Sequence, residues 1–227
     1  MKILSCVLSV VVTAISVAGA AETLPRLRVS DNGRFLVTEQ GEPFFWLGDT
    51  AWHMFGKSVR EAAADQPAVS RYFSTRATQG FTVIQSVIVR SPEGGTMANA
   101  HGFEPFEDGD WSQPRLRPGA NDDYWDHIDW CLAEARRQGL YMAALPIWLS
   151  AIEDDHPLVR QPRVAYRYGH FLGTRYRQEP HVIWVLGGDA WQKGRNVDAP
   201  SRLALARAMA EGLADGVNGL DQFDGQA

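Results

Sequence analysis

Four runs of the chain are apolar almost throughout: residues 44–48, 81–89, 140–148 and 181–186. None alternates apolar with charged positions, which is the pattern of strands covered on both faces in a parallel sheet. The segments between them carry helical periodicity. Ser58 and Glu61, three apart, read as a capping box, and Val69, Tyr72, Phe73 and Arg76 continue one face beyond a break at Pro67. Residues 122–138 set Trp125, Ile128, Asp129 and Leu132 at helical spacing and stop at Gly139. A third helix opens at Pro162, turns Val164, Tyr168, Phe171 and Leu172 inward and ends before Pro180. A fourth opens at Pro200 with Leu203, Ala206, Ala210 and Leu213. Ahead of all these, residues 27–29 and 34–38 flank Asp31-Asn32-Gly33, which predicts a hairpin with an Asn-Gly turn, and residues 40–43 make a second turn. The expected fold is α/β: a β-hairpin followed by four βα units. Four units are either half of a (β/α)8 TIM barrel, which takes about 250 residues, or a small open sheet.

The first 20 residues stand apart from this pattern. Met1 and Lys2 precede an apolar run over 3–17 that ends in Ala18-Gly19-Ala20, the layout of a secretory signal peptide cut before Ala21. The run is shorter than the roughly 20 residues a spanning helix needs, so no stable membrane association is expected after cleavage. A secreted or periplasmic protein is expected, with residues 21–227 as one domain. Cleavage removes Cys6 and leaves Cys131, which shares a helical face with Tyr124, Ile128 and Ala135 and reads as a small buried apolar group. A formal charge of −5 offers no basic stripe, and no nucleic-acid partner is expected. The six histidines show no metal-ligand spacing, and His127 and His170 fall on helices where a surface place is expected. Gly187-Gly188 is too short for a phosphate loop, so neither a metal nor a cofactor is predicted.

In a βα-repeat protein the working face lies at the carboxyl ends of the strands. Those ends carry Asp49-Thr50-Ala51-Trp52-His53, a long loop with Asn99 and His101, then Trp148 and Ser150, and finally Gly187-Gly188-Asp189-Ala190-Trp191. The opposite ends carry turn residues such as Gln79-Gly80 and Gln138-Gly139. Indole rings beside carboxylates suit sugars, whose C–H faces lie flat on aromatic surface while their hydroxyls need fixed polar partners. A glycosidic bond is opened by a carboxylic acid that protonates the leaving oxygen, working with a second carboxylate across the bond. Asp189 suits the acid, with Trp184 and Trp191 near it to raise its pKa by desolvation. Asp49 either faces the same site or caps the following helix. Gln85 either reaches into a polar barrel interior or bonds a neighbouring strand. Trp46 and Trp184, inside apolar runs, are expected in the core.

Three segments, 44–52, 80–85 and 182–189, together resemble the apiosidase-like glycoside hydrolases (glycoside hydrolase family 140, also DUF4038). The resemblance covers almost the whole chain after the leader. It implies a (β/α)8 barrel that cleaves O-glycosidic bonds of plant cell-wall, pectin-type polysaccharide, with Asp189 as general acid/base and Asp49, Trp52 and Gln85 lining the sugar pocket. Trp148 and Trp191 join them by strand-end position. Family members continue for about another half barrel, which supplies the second carboxylate, whereas this sequence stops where a fifth strand is expected. The resemblance therefore implies the amino-terminal part of a catalytic domain, inactive or nearly so alone. The alternatives are a non-catalytic carbohydrate-binding protein and a half-barrel fragment that pairs with a second copy.

Overall fold

The computed structural model describes residues 23–61, 67–90, 96–119, 123–149, 152–153, 155–188 and 199–225, so the expected signal peptide lies outside the described residues. Strands β1 (Leu27–Val29) and β2 (Leu36–Thr38) pair antiparallel with Leu27 opposite Thr38. Gly33 takes φ +71° and donates its N–H to the Ser30 carbonyl at 2.8 Å. Asn32, however, has no positive φ and Ser30 N–H closes on the Phe35 carbonyl, so the connection is a four-residue loop rather than a two-residue Asn-Gly turn. Strands β3 (Gly48–Thr50), β4 (Val83–Val87), β5 (Tyr141–Leu145) and β6 (Val182–Trp184) form one parallel sheet in that order. Between β3 and β4 lie α1 (Met54–Lys57) and α2 (Val69–Thr78), and α3 (Tyr124–Arg137) precedes β5. Helices α4 (Pro157–Arg160) and α5 (Pro162–Tyr176) lead into β6, and α6 (Ala199–Asn218) follows it. The hairpin and the four βα units stand in the expected order.

Register decides what each sheet face touches. Asp49, Ile84, Met142 and Val182 are paired in a row and share a face with Ser86, Ala144 and Trp184. Ile84, Met142 and Ala144 there join Val69, Phe73, Ile128 and Leu132 in the main core, under the helices. The other face carries Thr50, Gln85 and Ala143 in one row and Val83 beside Tyr141 in another. At the amino ends of the strands this second face is closed by Leu24, Leu27 and Phe44, and Tyr141 donates its hydroxyl to the Pro25 carbonyl at 2.6 Å. The hairpin thus plugs one end of the sheet and leaves the carboxyl ends for the site.

Three local expectations need correction. The apolar run 44–48 joins the ladder only at Gly48, and Phe45, Trp46 and Leu47 remain exposed beside an edge strand, so Trp46 is not in the core. Thr82 ties that run down instead: its hydroxyl donates to the Phe45 carbonyl at 2.7 Å and accepts the Leu47 N–H at 2.9 Å. Ser58 does not open a capping box but ends α1, its N–H donating to Met54. His127 is fully buried, because the 96–106 loop lies over its face of α3 and His101 packs edge-on at 4.9 Å. Trp184, by contrast, packs against the helix-side core. Cys131 is buried as expected, 3.6 Å from the His127 ring, and burial raises its thiol pKa, so it stays protonated.

Burial pushes His127 down to about 3, reinforced by the charge on Arg60, and pushes His156 and His181 down to about 4. In the unfolded chain these rings take up protons near pH 6.5 while the folded chain keeps them neutral. Between those limits the unfolded state binds more protons, so stability falls as pH falls from about 6.5 to about 4. We expect the unfolding free energy from urea titrations at 25 °C to drop steadily across that window, by roughly several kcal/mol in all. His127→Gln should flatten the profile; an unchanged slope would show that burial of this ring sets none of it.

Candidate active site

The segment after β3 is fixed to β4 by three hydrogen bonds. Ala51 N–H donates to the Gln85 carbonyl at 2.8 Å, the Ser86 hydroxyl donates to the Ala51 carbonyl at 2.7 Å, and Val87 N–H donates to the Trp52 carbonyl at 3.2 Å. They hold Trp52 at the strand tips, half exposed. Trp148 lies just past β5, where it bridges in parallel to Gly187, and Leu149 N–H donates to the Gly187 carbonyl at 2.8 Å. The two indoles meet with ring centroids 5.2 Å apart and planes 41° apart. Two side chains 96 positions apart in sequence thus form one aromatic surface at the carboxyl ends.

Glycine is required beneath it. Gly188 has φ +77°, and a Cβ placed there would lie 2.7 Å from the Trp148 ring. The paired glycines therefore let the main chain pass directly under the indole. The next residue is Asp189; it and Trp191 lie outside the described residues. Gln85 is half-buried on the sheet face away from the helices, the face it shares with Thr50.

Asp49 is placed differently from the expectation. It is paired with Ile84 on the helix-facing side of the sheet. Its carboxylate accepts from the Tyr72 hydroxyl at 2.7 Å, from the Arg76 guanidinium and from Thr50 N–H at 2.9 Å. Burial raises its pKa, but the hydrogen bonds from Tyr72, Arg76 and Thr50 outweigh this and hold it below the usual carboxylate range. The side chain fastens α2 to β3; it neither lines the strand-end face nor caps a helix. Asp49→Asn should therefore loosen α2, with the loss of stability present in urea titrations at pH 7 and vanishing in titrations below the carboxylate's lowered pKa, where the wild type is protonated too.

One residue escaped the sequence reading. Arg202, in the first turn of α6, is 2% exposed and donates to the carbonyls of Leu149 and Ile152, the latter at 2.5 Å. It grips the loop that carries Trp148. The signal for it was an inconsistency: a cation in the first turn of a helix opposes the helix dipole and needs another partner. Among the described residues no group of three His, Cys, Asp or Glu side chains stands close enough to hold a metal ion.

The sequence model of the family described as "Apiosidase-like, catalytic domain" matches residues 30–224. The chain belongs to the apiosidase-like family. Among solved structures it is similar to one titled simply "Glycoside hydrolase", at 28% identity and TM-score 0.69, covering 86% of this chain and 40% of that one. It is also similar to a glycoside hydrolase family 5 protein from Bacteroides vulgatus ATCC 8482, at 29% identity and TM-score 0.68, covering 86% and 38%. The catalytic domain of the Thermobifida fusca endoglucanase Cel5A, at 13% identity and TM-score 0.52, covers 87% of this chain and 52% of its own and shares the fold. No curated protein matches significantly. This apiosidase-like chain therefore spans about two-fifths of the first solved structures it matches, and its four parallel strands in sequential order belong to the TIM-barrel class of glycoside hydrolase folds.

Proposed function

We propose that this chain supplies the sugar platform and the proton donor of a secreted glycoside hydrolase acting on pectin-type polysaccharide of plant cell walls. The observation that carries the reading is the Trp52–Trp148 surface seated on Gly188, one residue before Asp189. A sugar ring stacked on these indoles would present its glycosidic oxygen to the carboxyl group that follows the glycines. Asp189 would donate a proton to that oxygen as the bond breaks, and recover it from the attacking water or from the hydrolysis of an intermediate. Trp191 and Gln85 would complete the pocket, Gln85 through its amide to sugar hydroxyls.

The chemistry also needs a second carboxylate, roughly 5–10 Å from the first. No described strand tip of this chain offers one, since Asp49 is engaged with Tyr72 and Arg76. The 227-residue chain is accordingly expected to bind pectic oligosaccharides and to hydrolyse them slowly or not at all. Binding followed by tryptophan fluorescence, with product release followed by chromatography, tests this in the wild type, Trp52→Ala and Asp189→Asn. Trp52→Ala should weaken binding about tenfold, the loss of about 1.4 kcal/mol of stacking. Asp189→Asn should keep the affinity and lose whatever turnover exists. Equal turnover in Asp189→Asn would remove this residue from the chemistry, and affinity indifferent to Trp52 would remove the platform.

A further inference from the structure

Away from the strand ends, the solvent side of α5 and the 221–223 segment enclose a groove of about 580 Å³. We propose that this groove is a second carbohydrate subsite, selective for uronic acid residues. The inference rests on the reading of the chain as a handler of pectin-type polysaccharide, whose sugars include such acids.

Arg163 and Arg167 lie one turn apart on α5, both exposed along the groove. Elsewhere on this surface arginines close onto neighbouring carboxylates, as Arg175 does on Asp129 at 2.7 Å and Arg136 on Glu179 at 2.7 Å. Arg163 and Arg167 form no such close ion pair with a described residue, although Asp221 lines the same groove and the charge of Arg167 acts on Asp110 at the neighbouring one. Arg163 instead sits over the Phe223 ring, 5.4 Å from its centroid. Two planar forks one turn apart suit a carboxylate, which guanidinium groups bind through paired hydrogen bonds. The partly buried Phe223 ring, packed against Tyr166 with centroids 4.9 Å apart, adds apolar surface beside them for the C–H groups of a pyranose.

Asp221 decides between ligand classes. The single Tyr166 hydroxyl proton is contested by Asp215 at 2.8 Å and Asp221 at 3.1 Å, and the shorter contact leaves Asp221 with free acceptor capacity. Inorganic phosphate would meet that carboxylate with like charge. A uronate instead brings hydroxyl donors to Asp221 while its own carboxylate goes to the arginines. The groove therefore fits a ligand that carries both groups on one ring.

Calorimetric titration of the full 227-residue chain with trigalacturonate, galactotriose and inorganic phosphate tests the proposal. Trigalacturonate should bind, with an affinity that falls as salt rises, and Arg163→Ala/Arg167→Ala should weaken it at least tenfold. Arg163→Lys/Arg167→Lys, which keeps the charge and loses the fork, should recover part of that loss, and Phe223→Ala should cost several-fold. Galactotriose binding should be indifferent to the arginine changes. Trp52→Ala separates the two sites: if it removes trigalacturonate binding while the arginine variants do not, the groove proposal fails and the strand-end platform stands. Phosphate competing as well as trigalacturonate, or no trigalacturonate binding, would likewise overturn it. A melting temperature unchanged in the arginine variants, as their exposure predicts, excludes a folding defect.

Discussion

Gly212→Ala is expected to lower the unfolding free energy by about 3 kcal/mol or more, although the same change in an open helix raises helix stability by about 1 kcal/mol. The reversal of sign comes from how α5 and α6 meet. Gly169 and Gly173 on one helix face Gly212 and Gly216 on the other, each pair four residues apart. A Cβ at Gly169 would lie 2.5 Å from the Met209 carbonyl oxygen, and one at Gly173 would run into the Leu213 carbonyl. A Cβ at Gly212 would strike the Tyr166 carbonyl, and one at Gly216 that of His170. All four obstacles are backbone atoms held in helical hydrogen bonds, so no side chain can swing aside. The added methyl must push the helices apart, and α6 would then withdraw Leu205, Ala208, Met209 and Leu213 from the main core. Urea unfolding followed by far-ultraviolet circular dichroism checks this. A midpoint that holds or rises in Gly212→Ala would show that the helices do not approach backbone to backbone.

That stripe was written in the sequence yet unreadable there, because glycines spaced by four announce close packing only once a partner helix is known. The parallel strands were legible for the opposite reason: double-sided burial leaves a continuous apolar run that needs no partner to be recognised. The same continuity hides direction. In a run apolar on both sides, nothing in sequence says which face Asp49 or Gln85 takes, and pairing with Ile84 sends Asp49 to the helices while Gln85 takes the other side. Strand ends were legible to within a few residues, which sufficed to bring Trp52 and Trp148 to one end. Their contact was not, since it depends on Gly188 letting the indole settle on the main chain. His127 shows the limit of helical periodicity, which marks the face a helix turns to the sheet and is silent about a loop folding over another face. The high count of tryptophans divides accordingly: Trp111 and Trp125 fill the core, while Trp52 and Trp148 stand at the strand tips.

Arg202→Met should destabilise the chain by about 3–5 kcal/mol and disturb Trp148 as well. The guanidinium is buried, and methionine fills much of the same volume, so the loss isolates the polar contacts. Its partners include the carbonyls of Leu149 and Ile152, residues that are themselves 4% and 2% exposed. Hydrogen bonds from a charged donor contribute about 1.5–3 kcal/mol each, and a buried carbonyl left without a donor costs about 1–3 kcal/mol. The second consequence follows from chain position. Leu149 adjoins Trp148, and its N–H is fixed to Gly187 at 2.8 Å while its carbonyl is fixed by Arg202, so the indole stands next to a residue clamped at both ends. Releasing one clamp should broaden the tryptophan emission and weaken oligosaccharide binding several-fold, beyond what lost stability alone produces in a folded sample. His156 gives an independent readout. Burial is the main cause of its lowered pKa, and the charge of Arg202 lowers it further, so its ring should titrate at higher pH in Arg202→Met by nuclear magnetic resonance. If stability falls and His156 shifts while oligosaccharide affinity holds, Arg202 supports the fold without positioning Trp148. If affinity falls with them, the first turn of α6 is part of what shapes the sugar platform, and the site extends into a helix that touches no sugar.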